Sequence, residues 1–113
     1  MVTPIEFAAK YDIEVAVLGN GDTRKINDGY CGDLLSMVMG RAQEDNAFIT
    51  VMANINTIAV AVLADVSCII LCEGMHFDKP SLLKAREQEV CVLETKETSF
   101  SIAVKLGKEL GLC

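Results

Sequence analysis

Three residues that could bind a soft metal ion recur at intervals of four: Cys68, Cys72 and His76. Thiolates and imidazoles are ligands that zinc prefers. Both cysteines lie in the apolar run "SCIILC", which is typical of a buried strand, and on a strand Cys68 and Cys72 would stand about 13 Å apart. Zinc–sulfur bonds are only about 2.3 Å long. The sequence therefore predicts no metal site here, and cysteines that serve as small buried apolar residues.

A catalytic thiol is the next chemistry to consider, at Cys31 in the stretch "GYCGD". A nucleophilic cysteine needs a neighbouring base or cation, and the only histidine, His76, is distant in the sequence. The nearby Asp33 would raise the pKa of the thiol rather than lower it. We therefore expect Cys31 to be unreactive.

Glycine-rich phosphate-binding motifs are also incomplete. The stretch "GNGDTR", beginning at Gly19, follows a predicted strand, but Arg24 stands where a dinucleotide fingerprint needs its third glycine. The stretch "GYCG" lacks the Gly-Lys-Ser/Thr ending of a P-loop. The sequence thus indicates a protein without catalytic residues and without a cofactor.

Polar residues that could hold a small ligand follow three predicted strands. In an open α/β sheet, ligands bind where the carboxyl ends of strands meet helix N-termini. An alternative interpretation is that Asn54 and Thr98 only cap the helices that follow them. The candidate ligand-binding residues are Asn54, Asn56, Thr57, Gly74, Thr98 and Ser99.

Composition limits the partners and the location of the protein. The chain is 51% hydrophobic and carries a formal charge of −6, so its field repels nucleic-acid phosphates and anionic membranes. Its start, "MVTPIEFAAKYD", has no signal-peptide pattern, and no apolar run is long enough to span a membrane. Five cysteines without a CxxC pair indicate reduced thiols. A cytoplasmic location is predicted.

Helical and strand patterns alternate along the chain. Thr3, Pro4 and Glu6 form a capping-box helix start. The expected later elements are a strand from Ile13, a short strand at Lys25 and Ile26, a helix from Asp33, strands at 47–52, 67–72 and 90–95, and helices at 54–65, from Pro80 and Ser81, and at 98–110. Such alternation predicts one α/β domain, residues 1–113, built as a three-layer α/β/α sandwich with a small, mostly parallel sheet.

The stretch "INDGYCGDLLSMVM" is interpreted as a helix entrance with an interaction surface. We expect a positive φ at Gly29, an exposed aromatic ring at Tyr30, an N-cap at Gly32 and a favourable charge at Asp33 on the helix N-terminus. Gly29, Tyr30 and Asp33 are the candidate interaction residues.

Three long phrases carry a family resemblance: "GYCGDLLSMVMGRA", "AFITVMANINTIAVAVLADVSCIILCEG" and "VCVLETKETSFSIAVKL". Together they resemble the DRTGG domain family, which is related to the N-terminal domain of HPr kinase. The resemblance covers residues 12–112. It implies a regulatory or dimerising α/β module, of the stand-alone type found near hydrogenase genes in anaerobic bacteria, and it implies no catalytic residues.

The resemblance is weakest at the residues that give the family its name. Where the family has Asp-Arg, this chain has Asn54-Ile55, and where the family has Thr-Gly-Gly, it has Cys72-Glu73-Gly74. The loss of a cation and the gain of Glu73 weaken any anion site there. Further on, Thr98-Ser99-Phe100 replaces Asp-Thr-Phe.

The sequence and the resemblance together predict a non-catalytic regulatory or interaction module. We expect a homodimer that accompanies a redox or acetyl-phosphate enzyme, such as a hydrogenase-associated protein. The alternative, from a different class, is a sensor that binds a nucleotide-like anion at the strand ends.

Overall fold

The computed structural model describes residues 1–113 as five helices and five strands. The helices are α1 (Pro4–Tyr11), α2 (Leu35–Arg41), α3 (Ile55–Ala64), α4 (Lys79–Glu87) and α5 (Ser99–Glu109). The strands are β1 (Glu14–Val17), β2 (Asp28–Cys31), β3 (Asn46–Thr50), β4 (Cys68–Leu71) and β5 (Val92–Glu94). From β2 onward strands and helices alternate, as the sequence predicts.

The five strands form one sheet in the order β1-β5-β4-β3-β2. Neighbours among β2, β3, β4 and β5 pair in parallel, and a helix connects each pair, as parallel pairing requires. β1 joins the edge antiparallel to β5, with Glu14 directly opposite Glu94. The N-terminal end of β1 therefore lies beside the C-terminal ends of the other strands.

The sheet separates two hydrophobic cores, and the residues of its central strand, β4, face them alternately. All residues of β4 are buried, and because side chains alternate along a strand, Cys68 and Ile70 face one core while Ile69 and Leu71 face the other. α1 and α5 cover the first face, and α2, α3 and α4 cover the second. This confirms the predicted three-layer α/β/α sandwich on a mostly parallel sheet.

The predicted helix starts are largely confirmed. Thr3 and Glu6 form the expected capping box of α1, with Pro4 in the first turn. The side chains of Asn54 and Thr98 cap α3 and α5. α4 begins slightly earlier than expected, because the Asp78 side chain, which accepts a hydrogen bond from the Ser81 N–H, is its cap.

The segment between β1 and α2 differs from the prediction. Ile26 makes only an isolated bridge to Val2, and the strand begins at Asp28. Gly29 belongs to this strand and does not have a positive φ, because its backbone is held in the parallel ladder with Ala47. The N-cap of α2 is Leu34, without a side-chain hydrogen bond, so the prediction of Gly32 as the cap was wrong.

Asp33 and Tyr30 also have other roles than expected. The Asp33 carboxylate turns back to the sheet, where it accepts hydrogen bonds from Thr50 Oγ1 (2.9 Å) and the Val51 N–H (3.0 Å). It therefore fixes the entrance to α2 against the end of β3 instead of standing on the helix N-terminus. Tyr30 is half-buried and packs against the core, so the prediction of an exposed ring was wrong.

The helices are short. The longest, α5, has 11 residues, and none has both the length and the apolar character required to cross a bilayer.

Candidate functional site

The candidate site lies at the end of the sheet that is formed by the C-terminal ends of the parallel strands. The loop after β4 meets the loop after β5 there: the Glu73 N–H donates to Glu97 O (2.8 Å), and the Gly74 N–H donates to Thr95 O (3.0 Å). Since β1 is antiparallel, its first residue, Glu14, lies at the same end. Three segments that are distant in the sequence therefore converge.

The predicted ligand-binding residues are spread along this end of the sheet. Asn54 Oδ1 accepts from the Asn56 N–H (2.7 Å), and Thr98 Oγ1 accepts from the Ser101 N–H (3.1 Å), so both act as caps. Thr57 is fully buried, and its hydroxyl donates to Met52 O (2.7 Å).

Ser99 is half-buried in the first turn of α5. Gly74 is exposed, and of the six predicted residues it alone lines a cleft. The structure does not bring the six together into one cavity.

The predicted interaction residues lie in β2 or directly after it, and β2 is the edge strand farthest from β1. Gly29 is exposed and lines a small groove of about 110 Å³ between this edge strand and α5. A Cβ atom at Gly29 would lie 3.0 Å from Leu106 Cδ2. Glycine at this position therefore lets α5 pack closely against the strand.

A polar cleft of about 280 Å³ opens at the C-terminal ends of the parallel strands, beside β1 and β5. None of its lining residues is hydrophobic; they are Asp12, Glu14, Gly74, His76, Glu94, Thr95 and Lys96. Ligand atoms of Glu14, His76 and Glu94 all lie within 4.8 Å of one another. This cluster was missed in the sequence, because only the antiparallel register of β1 brings Glu14 to Glu94.

Glu94 is the buried member of the cluster. Its side chain is only 6% exposed. Oε1 lies 2.8 Å from His76 Nδ1, and Oε2 accepts a hydrogen bond from the Phe77 N–H (3.1 Å). A carboxylate inside an apolar strand, as in "VCVLET", is the one sequence signal that could have pointed to this position.

His76 is the exposed member, with 65% of its side chain accessible. The hydrogen bond with Glu94 raises the pKa of the imidazole, and the charge of Glu94 adds to the effect, with a smaller contribution from Glu14. Lys96 acts in the opposite direction. The cleft therefore favours a positively charged group between the two glutamates.

The thiols near this end of the sheet are not activated. Burial raises the pKa of Cys72 to about 11. Partial desolvation of its sulfur raises the pKa of Cys31 although the residue is exposed, and the charge of Asp33 adds to the increase, as the sequence predicts for that charge. A thiol with a raised pKa is a weak nucleophile at neutral pH.

A second surface feature is the solvent side of α3, which we call the α3 outer face: Ile55, Ala59, Val62 and Leu63. Their spacing places them on one stripe of the helix. All four are exposed, Leu63 most of all at 70%. α3 contains no charged residue. A helix this apolar is normally covered on most of its sides, so an exposed apolar stripe on it is unusual.

Comparison with solved structures identifies a similar fold. The chain superimposes on part of a solved structure of the CBS and DRTGG domains of the regulatory region of Clostridium perfringens pyrophosphatase, complexed with its activator diadenosine tetraphosphate. The TM-score is 0.68 at 15% sequence identity, over 88% of this chain. The fold is DRTGG-like. This chain spans 44% of the matched structure. No protein-family model matches the chain, and no curated protein matches it.

The turn after β4 has an unusual backbone at Glu73 and Gly74. Glu73 has φ of 64° and Gly74 has φ of 74°. Left-handed φ values cost glycine little and other residues about 1–2 kcal/mol. The turn after β4 therefore has a conformation that suits glycine, and Glu73 adopts it at some cost.

Proposed function

We propose that this chain is a regulatory interaction module without catalysis of its own, and that it forms a homodimer through the α3 outer face. The main support for the dimer is that this face is apolar and exposed, on a helix without charged residues. α2 packs against α3 and adds exposed Leu34, Met37 and Met39. Exposed apolar side chains on neighbouring helices are typical of protein interaction sites.

A second copy of the chain is the occupant that fits the charge pattern. The chain carries a net charge of −6, so two copies repel each other wherever carboxylates meet. The uncharged α3 outer face allows close approach without that penalty. A two-fold axis would place the face against itself, with Leu63 near the shallow groove that Val62, Lys84 and Gln88 line between α3 and α4.

The dimer is tested by sedimentation equilibrium with one disruptive and one control variant. Leu63→Glu places a charge on the α3 outer face, whereas Leu112→Glu makes the same change near the C-terminus, where Leu112 is equally accessible at 67%. We expect the wild type and Leu112→Glu to dimerise with a dissociation constant on the order of 10 μM or tighter, and Leu63→Glu to remain monomeric.

Two results contradict the dimer proposal. If the wild-type chain stays monomeric well above that concentration, it does not form the proposed homodimer. If Leu63→Glu dimerises as strongly as the wild type, the subunit contact lies elsewhere. Circular dichroism of both variants shows whether they are folded, so that misfolding is not taken for dissociation.

The regulated partner in this proposal is a redox or acetyl-phosphate enzyme in the cytoplasm of an anaerobic bacterium. The family resemblance of the sequence supports this partner class, as does the structural likeness to a regulatory region of an enzyme. The proposal treats residues 1–113 as one domain, with thiols that remain reduced.

A ligand sensor is the second candidate, because the structurally similar regulatory region was solved with a nucleotide activator. Gly74 and the N-termini of α3 and α5 lie at the end of the sheet where such a ligand would bind. Saturating nucleotide, at about 100 times its dissociation constant, would stabilise the fold by about 2.7 kcal/mol. A thermal-shift screen of mononucleotides and dinucleotides measures this, and no shift with any of them would exclude the sensor.

A further inference from the structure

We propose that Glu14, His76 and Glu94 form a binding site for a divalent transition-metal cation such as Zn²⁺. The site is a side-chain cluster in the polar cleft between β1, β5 and the loop after β4. It lies apart from the α3 outer face, and it goes beyond the regulatory function proposed above.

The sheet itself forces the two carboxylates together. Glu14 and Glu94 are direct partners across the antiparallel β1–β5 pair, where like charges are destabilising. Glu94 cannot turn away into water, because its side chain is 94% buried and Oε2 is held by the Phe77 N–H. A fixed, buried carboxylate at Glu94 with the exposed Glu14 carboxylate beside it at the wall of the cleft offers two anionic ligands to a cation.

The type of cation follows from the third ligand. Imidazole nitrogen combined with carboxylate oxygen suits zinc and similar transition metals, whereas Mg²⁺ and Ca²⁺ prefer oxygen ligands alone. A divalent ion also cancels the two glutamate charges. Three protein ligands leave coordination positions for water, which the open cleft of about 280 Å³ can supply.

The geometry needs only a small rearrangement. Two ligand atoms of a tetrahedral zinc ion, each about 2.1 Å from the metal, lie about 3.4 Å apart. His76 Nδ1 and Glu94 Oε1 are now 2.8 Å apart, and Glu14 lies within 4.8 Å of both. His76 is exposed in a loop, so its ring can move by this amount. The metal takes the place of the proton that now links His76 to Glu94.

The opposing interpretation is that His76 and Glu94 form only a structural ion pair that holds the loop after β4. In that case Glu14 takes no part in binding, because it influences His76 through its charge alone and makes no hydrogen bond to it. Lys96 also lines the cleft and disfavours a cation. The two interpretations therefore differ in the effect of Glu14 on metal binding.

The test is isothermal titration with Zn²⁺ alone, in a chain that carries Cys31→Ser and Cys113→Ser. These substitutions remove the two exposed thiols, which would bind zinc on their own. Glu14→Gln and His76→Gln are compared in this background with Glu87→Gln, which changes an exposed glutamate of α4 outside the cleft.

We expect one zinc ion per chain. Binding should weaken at least about tenfold in Glu14→Gln and in His76→Gln, and should be unchanged in Glu87→Gln. Mg²⁺ in excess should not displace the zinc. Co²⁺ should give the absorption of nitrogen and oxygen ligands without a thiolate charge-transfer band.

Three outcomes overturn the proposal: no zinc binding at millimolar concentration, equal binding in Glu14→Gln and the parent chain, or displacement of zinc by Mg²⁺. Because Glu14 is exposed, its glutamine variant is expected to fold. Circular dichroism verifies the fold of each variant before titration. Zinc binding is measured by calorimetry and dimer formation by sedimentation, and the two concern different surfaces. Either proposal can therefore fail without the other.

Discussion

At the scale of single residues, burial separates the five cysteines into two classes. Cys68, Cys72 and Cys91 are buried, and Cys31 and Cys113 are exposed. Burial raises the pKa of Cys91 to about 12 and that of Cys72 to about 11. Because the thiolate is the reactive form, the buried thiols are protected by pKa as well as by access.

Thiol labelling of the native protein tests this separation. We expect iodoacetamide at neutral pH to modify two thiols per chain in the folded state and all five in denaturant. Cys31 should react more slowly than a free cysteine, because its pKa is raised. Intact-mass spectrometry counts the modified thiols. The Cys31→Ser variant should lose one native label, and rapid labelling of a third thiol in the folded wild type would contradict the prediction.

At the scale of elements, one carboxylate joins the first and last helices. Glu109 of α5 accepts a hydrogen bond from Tyr11 Oη (2.8 Å) and pairs with Lys10 Nζ (2.5 Å), both at the end of α1. The Lys10 hydrogen bond, and then the Tyr11 hydrogen bond, lower the pKa of Glu109. Its ionised form is therefore favoured by folding.

Acid should weaken this connection between α1 and α5. A carboxyl group with a lowered pKa in the folded state stabilises the protein above its ordinary pKa, about 4.3, and this stabilisation is lost as the pH falls through the lowered value. Urea unfolding at pH 7 and near pH 3 should therefore show a smaller loss of stability in Glu109→Gln than in the wild type. Glu87→Gln is the control, and equal losses in all three chains would contradict the role of Glu109.

At the scale of the whole molecule, Arg24 ties together three connections at the end of the sheet opposite the cleft. It lies between β1 and β2, and its guanidinium bonds Asp45 Oδ1 (Nε, 3.0 Å), Asp65 Oδ1 (Nη1, 2.9 Å) and Asp65 O (Nη2, 2.7 Å). Asp45 precedes β3, and Asp65 ends α3. A planar guanidinium can reach both aspartates at once, which an ammonium group cannot.

Arg24→Lys should therefore destabilise the protein although the charge is kept. We expect a loss of about 1 kcal/mol in the free energy of unfolding, a modest value because both aspartates are partly exposed. Arg41→Lys, at the exposed end of α2, is the matched control and should change stability little. Denaturant unfolding measures both. A loss at Arg24 no larger than that at Arg41 would show that the bridge contributes nothing.

Local patterns were sufficient to predict most elements, because period and caps act within a few residues of the chain. The apolar runs of β3 and β4 and the caps at Thr3, Asn54 and Thr98 lie where the sequence indicates. The entrance to α2 was predicted incorrectly. Its glycines resembled turn residues, but pairing of β2 with β3 and the bond from Asp33 to Thr50 determine the backbone there.

The sequence by itself determined the layers, since hydrophobic periodicity decides which side of each element is buried. It could not determine the candidate metal site, because Glu14, His76 and Glu94 are 62 and 18 residues apart along the chain and carry no local spacing signal. Only the antiparallel addition of β1 to β5 places Glu14 opposite Glu94. That pairing is a long-range choice of edge and direction, and it is decided by packing of the whole sheet rather than by the residues of β1.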